Sequence, residues 1–180
     1  MSILNDYALY KLKDKNPFLT IEKGVMVKSP ERIEIGPNTI LQANTVLHGG
    51  GGEWCEFKGG ISIGENSCIS PNCTLYGTGA KIIIGKNFDC GPGVRIFASR
   101  TKYEHPSSLG NRTKFSFADV KIGDNVICYA NVIISPGVTV GEGAVIGASS
   151  VVLNDIPPFT VNAGAPAKII KKREFISNGQ

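Results

Sequence analysis

The chain has only two histidines and one tryptophan in 180 residues, and it has no long apolar run. No stretch approaches the roughly 20 apolar residues of a membrane-spanning helix, so no span is expected. Basic charge is mild and scattered. The net charge is +4, and the one basic run is Lys171-Lys172-Arg173, which excludes the gathered footprint of a nucleic-acid binder. The start, MSILNDYALYKLKDKN, lacks a charged segment followed by an apolar one, so no signal peptide is expected. Five cysteines (Cys55, Cys68, Cys73, Cys90 and Cys128) are odd in number and include no CxxC pair. They read as free thiols in a reducing cytoplasm rather than a disulfide framework or a zinc knuckle. With 22 glycines and only 19% charged residues, the composition suits a turn-rich β protein of one domain.

What is present is a period of six. From Val120 to Val152 an aliphatic residue or cysteine recurs at Ile122, Cys128, Ile134, Val140, Ile146 and Val152. Four places after each comes another small or apolar residue, from Val126 to Ile156. Neither a helical period nor strand alternation gives this spacing; a repeating β-solenoid does. The same ladder begins at Ile35, Leu41 and Leu47 and resumes at Ile63, Ile69 and Leu75, then at Ile84, Cys90 and Ile96. Across these fifteen hexads the first residue is Ile, Leu or Val thirteen times and Cys twice. The residue three places on is mostly Asn or Gly, which tolerate the positive φ of a tight corner.

Three short strands per turn make 18 residues, so Ile122 and Val140 should stack one turn apart, at the ~4.8 Å spacing of paired strands. The ladder occupies residues 21–160, broken by loops at 49–60 and 100–119. Residues 1–20, with a loose helical pattern, read as an N-terminal cap over the open end, and 161–180 as a C-terminal segment. Period alone does not set the hand of the winding.

The repeated [Ile/Leu/Val]-Gly-x-Asn pattern and the ending IPPFTVNAGAPAKIIKKR resemble the hexapeptide-repeat acyltransferases over about residues 20–173. The likeness is greatest to sugar O-acetyltransferases acting on maltose, galactosides or surface polysaccharides. It implies an all-β, left-handed parallel β-helix with a short N-terminal cap and a C-terminal helix. It also implies a homotrimer with acetyl-CoA in a groove between neighbouring subunits, and no metal.

The resemblance assigns the site. His105-Pro106, in the excursion at 100–119, matches a His-Pro pair whose histidine is the general base, and Glu104 stands where it could orient that ring. A neutral imidazole removing the acceptor's proton contributes typically ~10²–10⁴-fold. Ala130, Ala148, Ser149, Ala165 and Pro166 match small residues lining the pantetheine arm. Lys168, Lys171 and Lys172 would meet the phosphates as point charges. Tyr103, His48 and Trp54 are candidates for the acceptor side; Trp54 offers a platform for a sugar ring, although packing of the loop is the better reading of both His48 and Trp54. The chain departs from the family pattern at Glu104, where Asn is frequent, and at Ile127, where Trp is frequent. Both departures bear on the acceptor.

The expected function is therefore transfer of acetyl from acetyl-CoA to a sugar hydroxyl in surface polysaccharide biosynthesis. The alternatives are an N-acetyltransferase of a nucleotide-linked amino sugar and a non-catalytic β-helix scaffold. A γ-type carbonic anhydrase shares the β-helix but needs three histidines on zinc, one more than this chain holds. Cys55 as an acyl-accepting nucleophile would need an adjacent base, and none is evident in the sequence.

Overall fold

The computed structural model describes residues 3–56, 58–104 and 115–174. An α-helix, α1 (Ile3–Lys15), precedes a series of strands two to five residues long. Three parallel sheets are visited in rotation from Thr20–Ile21 to Val151–Val152, and the last turn touches the third sheet only through a bridge between Val140 and Ile156. The first holds Thr20–Ile21, Ile40–Leu41, Cys68–Ile69, Asp89–Cys90, Ile127–Cys128, Val145–Ile146 and Thr160–Ala163. The second holds Met26–Lys28, Val46–His48, Thr74–Tyr76, Arg95–Phe97, Ile133–Ile134 and Val151–Val152. The third holds Ile33–Ile35, Gly60–Ile63, Lys81–Ile84, Val120–Ile122 and Thr139–Val140.

The hexad is what places them. Ile122 pairs with Val140, Cys128 with Ile146 and Ile134 with Val152, each 18 residues on. The excursions leave this register intact. Leu47 pairs with Leu75 across 28 residues, Leu75 with Ile96 across 21 and Ile96 with Ile134 across 38. The described surplus residues in each case lie in excursions between the paired strands. The first hexad residues from Leu41 onward, and the residues four places after them from Val126 onward, are buried. They form one continuous apolar column system between the sheets.

Corners follow from side-chain size. Asn38, Asn44, Asn66, Asn72, Asn87, Asn125 and Asn131 all have φ between 55° and 60°, the left-handed region. Glycine follows the inward residue for a different reason, which is close approach. A Cβ on Gly123 would lie 2.7 Å from the Glu142 backbone nitrogen in the next turn.

The ends are treated differently. Helix α1 buries Ala8 and Leu12 against the first turn. Asn5 donates to the Val25 carbonyl (3.0 Å) and accepts from the Val27 N–H (2.8 Å), satisfying an edge that would otherwise invite pairing. At the other end, the described residues form no helix where one is expected. Lys168–Lys172 is instead a strand, antiparallel to Thr160–Ala163, with an irregularity between Val161 and Asn162. Thr160–Ala163 presents an open backbone edge, and the β-branched pair Ile169-Ile170 suits a strand better than a helix started just after Pro166.

Candidate active site

The longest excursion leaves the second sheet after Arg95–Phe97 as a hairpin, Ser99–Thr101 antiparallel to Phe115–Phe117. His105, the expected base, is in the segment this hairpin carries and lies outside the described residues. At the hairpin's base, Arg100 donates through Nε to Ser116 Oγ (3.2 Å) and pairs through Nη2 with Glu104 (3.3 Å). Its guanidinium also lies over the Tyr103 ring, 5.4 Å from the centroid. The second Glu104 oxygen accepts the Tyr103 N–H at 3.0 Å. Glu104 and Tyr103 are thus brought together around Arg100, a residue not anticipated as part of the site.

The insertion at 49–60 packs on this hairpin through Trp54. Cys55 is buried, its thiol set against the Gly52 and Lys58 carbonyls at 3.1 and 3.5 Å. Trp54 packs on Phe115 with ring centroids 4.8 Å apart and is 37% exposed. Phe117 reaches its seat because Gly79 has no Cβ; one there would overlap the ring, 2.0 Å from Cδ1.

His48 begins the insertion and is buried in the second sheet. Its Nδ1 accepts the Gly50 N–H at 3.1 Å, and its ring lies 4.6 Å from that of Tyr76 in the next rung. Burial, reinforced by the Lys28 charge, lowers its pKa, so the neutral ring is the stable form. Tyr76 continues to Phe97 at 6.4 Å. His48, Tyr76 and Phe97 each follow an inward hexad residue, so this outward column is legible in the period, although only His48 was anticipated. Between the insertion and the hairpin lies a cavity of about 310 Å³, lined chiefly by Trp54, Tyr76, Phe97 and Phe115, with Arg100 and Thr101 at its rim.

The candidate donor residues lie elsewhere. Ala130, Ala148 and Ser149 are on turns leaving the first sheet, stacked by a Ser149 N–H donating to the Ala130 carbonyl (2.8 Å). Ala165 and Pro166 are fixed beside them, since Gly164 accepts from and Ala167 donates to Val151. Lys168, Lys171 and Lys172 are exposed on the last strand. The irregularity interrupts the alternation: Lys168 pairs with Ala163 and Lys171 with Val161, so these two share a face, while Lys172, opposite Thr160, lies on the other. The small donor candidates thus gather where the chain enters the second sheet, the three lysines lie along the last strand of the first, and His48, Trp54, Tyr103 and Glu104 lie where the chain leaves the second. Within one chain the two groups are held apart by the width of that sheet. Among the described residues no three His, Cys, Asp or Glu side chains come together as metal ligands, and no helix is long and apolar enough to cross a membrane.

Repeating rungs of hexads, interrupted by a hairpin at the end of one sheet, define the class. Residues 119–154 match the bacterial transferase hexapeptide (six repeats) family, and the chain belongs to it. Galactoside O-acetyltransferase of Escherichia coli is 31% identical over 158 residues, 88% of this chain and 66% of its own. The Saccharomyces cerevisiae protein YJL218W is 39% identical over 121 residues, 66% of this chain and 59% of its own. The chain therefore spans about six tenths of the length of these relatives. Among solved structures, AntD, an N-acyltransferase from Bacillus cereus in complex with dTDP and 3-hydroxybutyryl-CoA, superposes with a TM-score of 0.73 at 25% identity. That match covers 88% of this chain and 82% of AntD.

Proposed function

We propose that the protein is an acetyl-CoA-dependent O-acetyltransferase acting on a sugar hydroxyl of a surface polysaccharide or its precursor. The observation that carries this reading is the similarity to galactoside O-acetyltransferase across 88% of the chain. In this reading the three sheets close as a left-handed β-helix, and three subunits associate. His105, on the hairpin, takes the hydroxyl proton while that oxygen attacks the thioester carbonyl, and coenzyme A leaves as the thiol. Glu104 and Tyr103 hold the hairpin through Arg100. Ala130, Ala148, Ser149, Ala165 and Pro166 flank the pantetheine arm, and Lys168, Lys171 and Lys172 are the cations available to its phosphates. Exposed Ile169 and Ile170 on the last strand support a neighbouring subunit there. Five free cysteines, four of them buried, suit a reducing cytoplasm.

A thiol-release assay with acetyl-CoA against sugars, amino sugars and their nucleotide conjugates tests the reading. His105→Ala should lower turnover at least about a hundredfold while leaving coenzyme A affinity nearly intact; undiminished turnover overturns the base assignment. The likeness to AntD favours a second reading, transfer to the amine of a nucleotide-linked sugar. It predicts release only with amino acceptors. Affinity for acetyl-CoA without turnover on any acceptor would point to a binding scaffold.

A further inference from the structure

Cys73, Cys90 and Cys128 are all buried where the chain passes from the first sheet to the second. A buried thiol packs as a small hydrophobe, and any one of them is explained that way. Two of them also touch. Cys73 and Cys90, 17 residues apart on successive rungs, bring their Sγ atoms to 3.5 Å, and Cys73 Sγ lies 3.3 Å from the Gly91 carbonyl oxygen. The contact makes the two thiols unequal. The Cys90 S–H donates to the Cys73 sulfur, and the Val94 and Gly93 backbone and the Arg95 charge add to it, so Cys73 is held below the ordinary thiol pKa despite burial. The same contact, with burial, pushes the Cys90 thiol up. An acidic thiol beside a second thiol is the arrangement in which one sulfur attacks an oxidant and the other resolves the product.

We infer that Cys73 and Cys90 form a redox site, oxidised by a hydroperoxide to a disulfide, and that the disulfide weakens binding at the donor corner stacked on it. The Cys73 thiolate attacks one peroxide oxygen; the S–O bond forms, the O–O bond breaks, and hydroxide leaves to give a sulfenic acid. Cys90 then loses its proton and attacks the Cys73 sulfur, and the sulfenic oxygen departs with that proton as water. Two thiols and one hydrogen peroxide thus become one disulfide and two waters. Hydrogen peroxide is little larger than water and reaches the pair through local opening of the Gly91-Pro92-Gly93 corner. A disulfide is about 2.05 Å long, so the sulfurs must close by roughly 1.5 Å. That displacement falls on Gly91, which is bonded to Cys90 and touches Cys73. Gly91 is packed against the donor corner. Its N–H donates to the Cys128 carbonyl at 2.7 Å, and a Cβ on it would lie 2.8 Å from the Ala130 backbone nitrogen. Ala130 in turn accepts the Ser149 N–H. A shift at Gly91 is therefore passed to two residues proposed to flank the pantetheine arm. This consequence rests on the proposed acyl transfer; the disulfide itself does not.

The test treats the reduced protein with hydrogen peroxide, counts thiols after denaturation and maps linked peptides by mass spectrometry. Coenzyme A affinity is measured by calorimetry before oxidation, after it, and again after reduction with dithiothreitol. The expected result is a fall from five thiols to three, a Cys73–Cys90 linkage, and coenzyme A affinity weakened at least about fivefold and restored on reduction. Cys73→Val and Cys90→Val, which install the aliphatic residue that fills the ladder elsewhere, should form no disulfide, and Cys128→Val should form it as the wild type does. Five thiols surviving peroxide, a linkage through Cys128 or between chains, or oxidised Cys73 with Cys90 still free would overturn the pair. A Cys73–Cys90 disulfide with unchanged coenzyme A affinity would overturn its coupling to the donor corner. Failure of the reduced protein to bind coenzyme A would count against the proposed acyl transfer, and the thiol count then decides the pair alone.

Discussion

Single residues carry more of this fold than their chemistry suggests. A left-handed backbone costs a typical L-residue about 1–2 kcal/mol, and asparagine tolerates it because its short amide can bond locally. Asn125 illustrates both parts: φ is 59°, and its Oδ1 accepts from Asn87 Nδ2 at 2.9 Å, one turn below. Asn125→Ala should therefore lower unfolding stability by about 1–2 kcal/mol, and Asn125→Gly by less, as measured by chemical denaturation; equal losses would mean that the side-chain ladder, not the backbone, dominates. His48 makes a prediction of the opposite kind. Its folded pKa lies below the ordinary value of about 6.5. The unfolded chain therefore takes up the proton first as pH falls. The stabilising contribution of the neutral ring is complete above about pH 6.5 and is lost between there and the lower folded pKa. Protonation also sets a donor against the Gly50 N–H. The melting temperature should drop across this window, and His48→Asn, which keeps an acceptor near Nδ1 but does not titrate, should flatten the slope.

At the scale of elements, the first hexad residue was legible throughout because burial on a wall admits only aliphatic side chains or a small thiol. Cys90 and Cys128 occupy such positions, paired in register and buried. Desolvation drives the Cys128 thiol well above its usual range. Both should resist alkylation in the folded protein, and Cys128→Val should cost less than about 1.5 kcal/mol; rapid labelling of Cys128 without unfolding would contradict its burial. The last element was not legible. Lys168–Lys172 lies beyond the period, and its strand form comes from the open edge of Thr160–Ala163, a tertiary partner that local propensity does not reveal. The aromatic cavity was half legible. Trp54, in its lining, and His48, beside Tyr76 but outside it, stand out as rare residues. Tyr76 and Phe97 share His48's offset in the hexad, but Phe115 and Arg100 join them only through the pairing of the hairpin.

For the molecule as a whole, the separation of the two candidate groups decides what assembly the proposed chemistry needs. The candidate donor residues lie where the chain enters the second sheet and the described part of the hairpin where it leaves, so under the proposed chemistry a single chain would offer the arm and the base from different edges. A ring of three subunits joined head to tail would set the hairpin of one against the donor edge of the next. Light scattering should then report a trimer, and a stable monomer would remove the basis for a shared site. A sharper test mixes two inactive variants. His105→Ala keeps the donor edge and loses the base; Ala148→Trp keeps the base and blocks the edge at an exposed position. If each site takes its base from one subunit and its edge from the neighbour, random trimers refolded from an equal mixture should regain about a quarter of wild-type activity, the chance that both contributions to a site are intact. A site built within one chain would regain none, because every chain in the mixture carries one of the two defects.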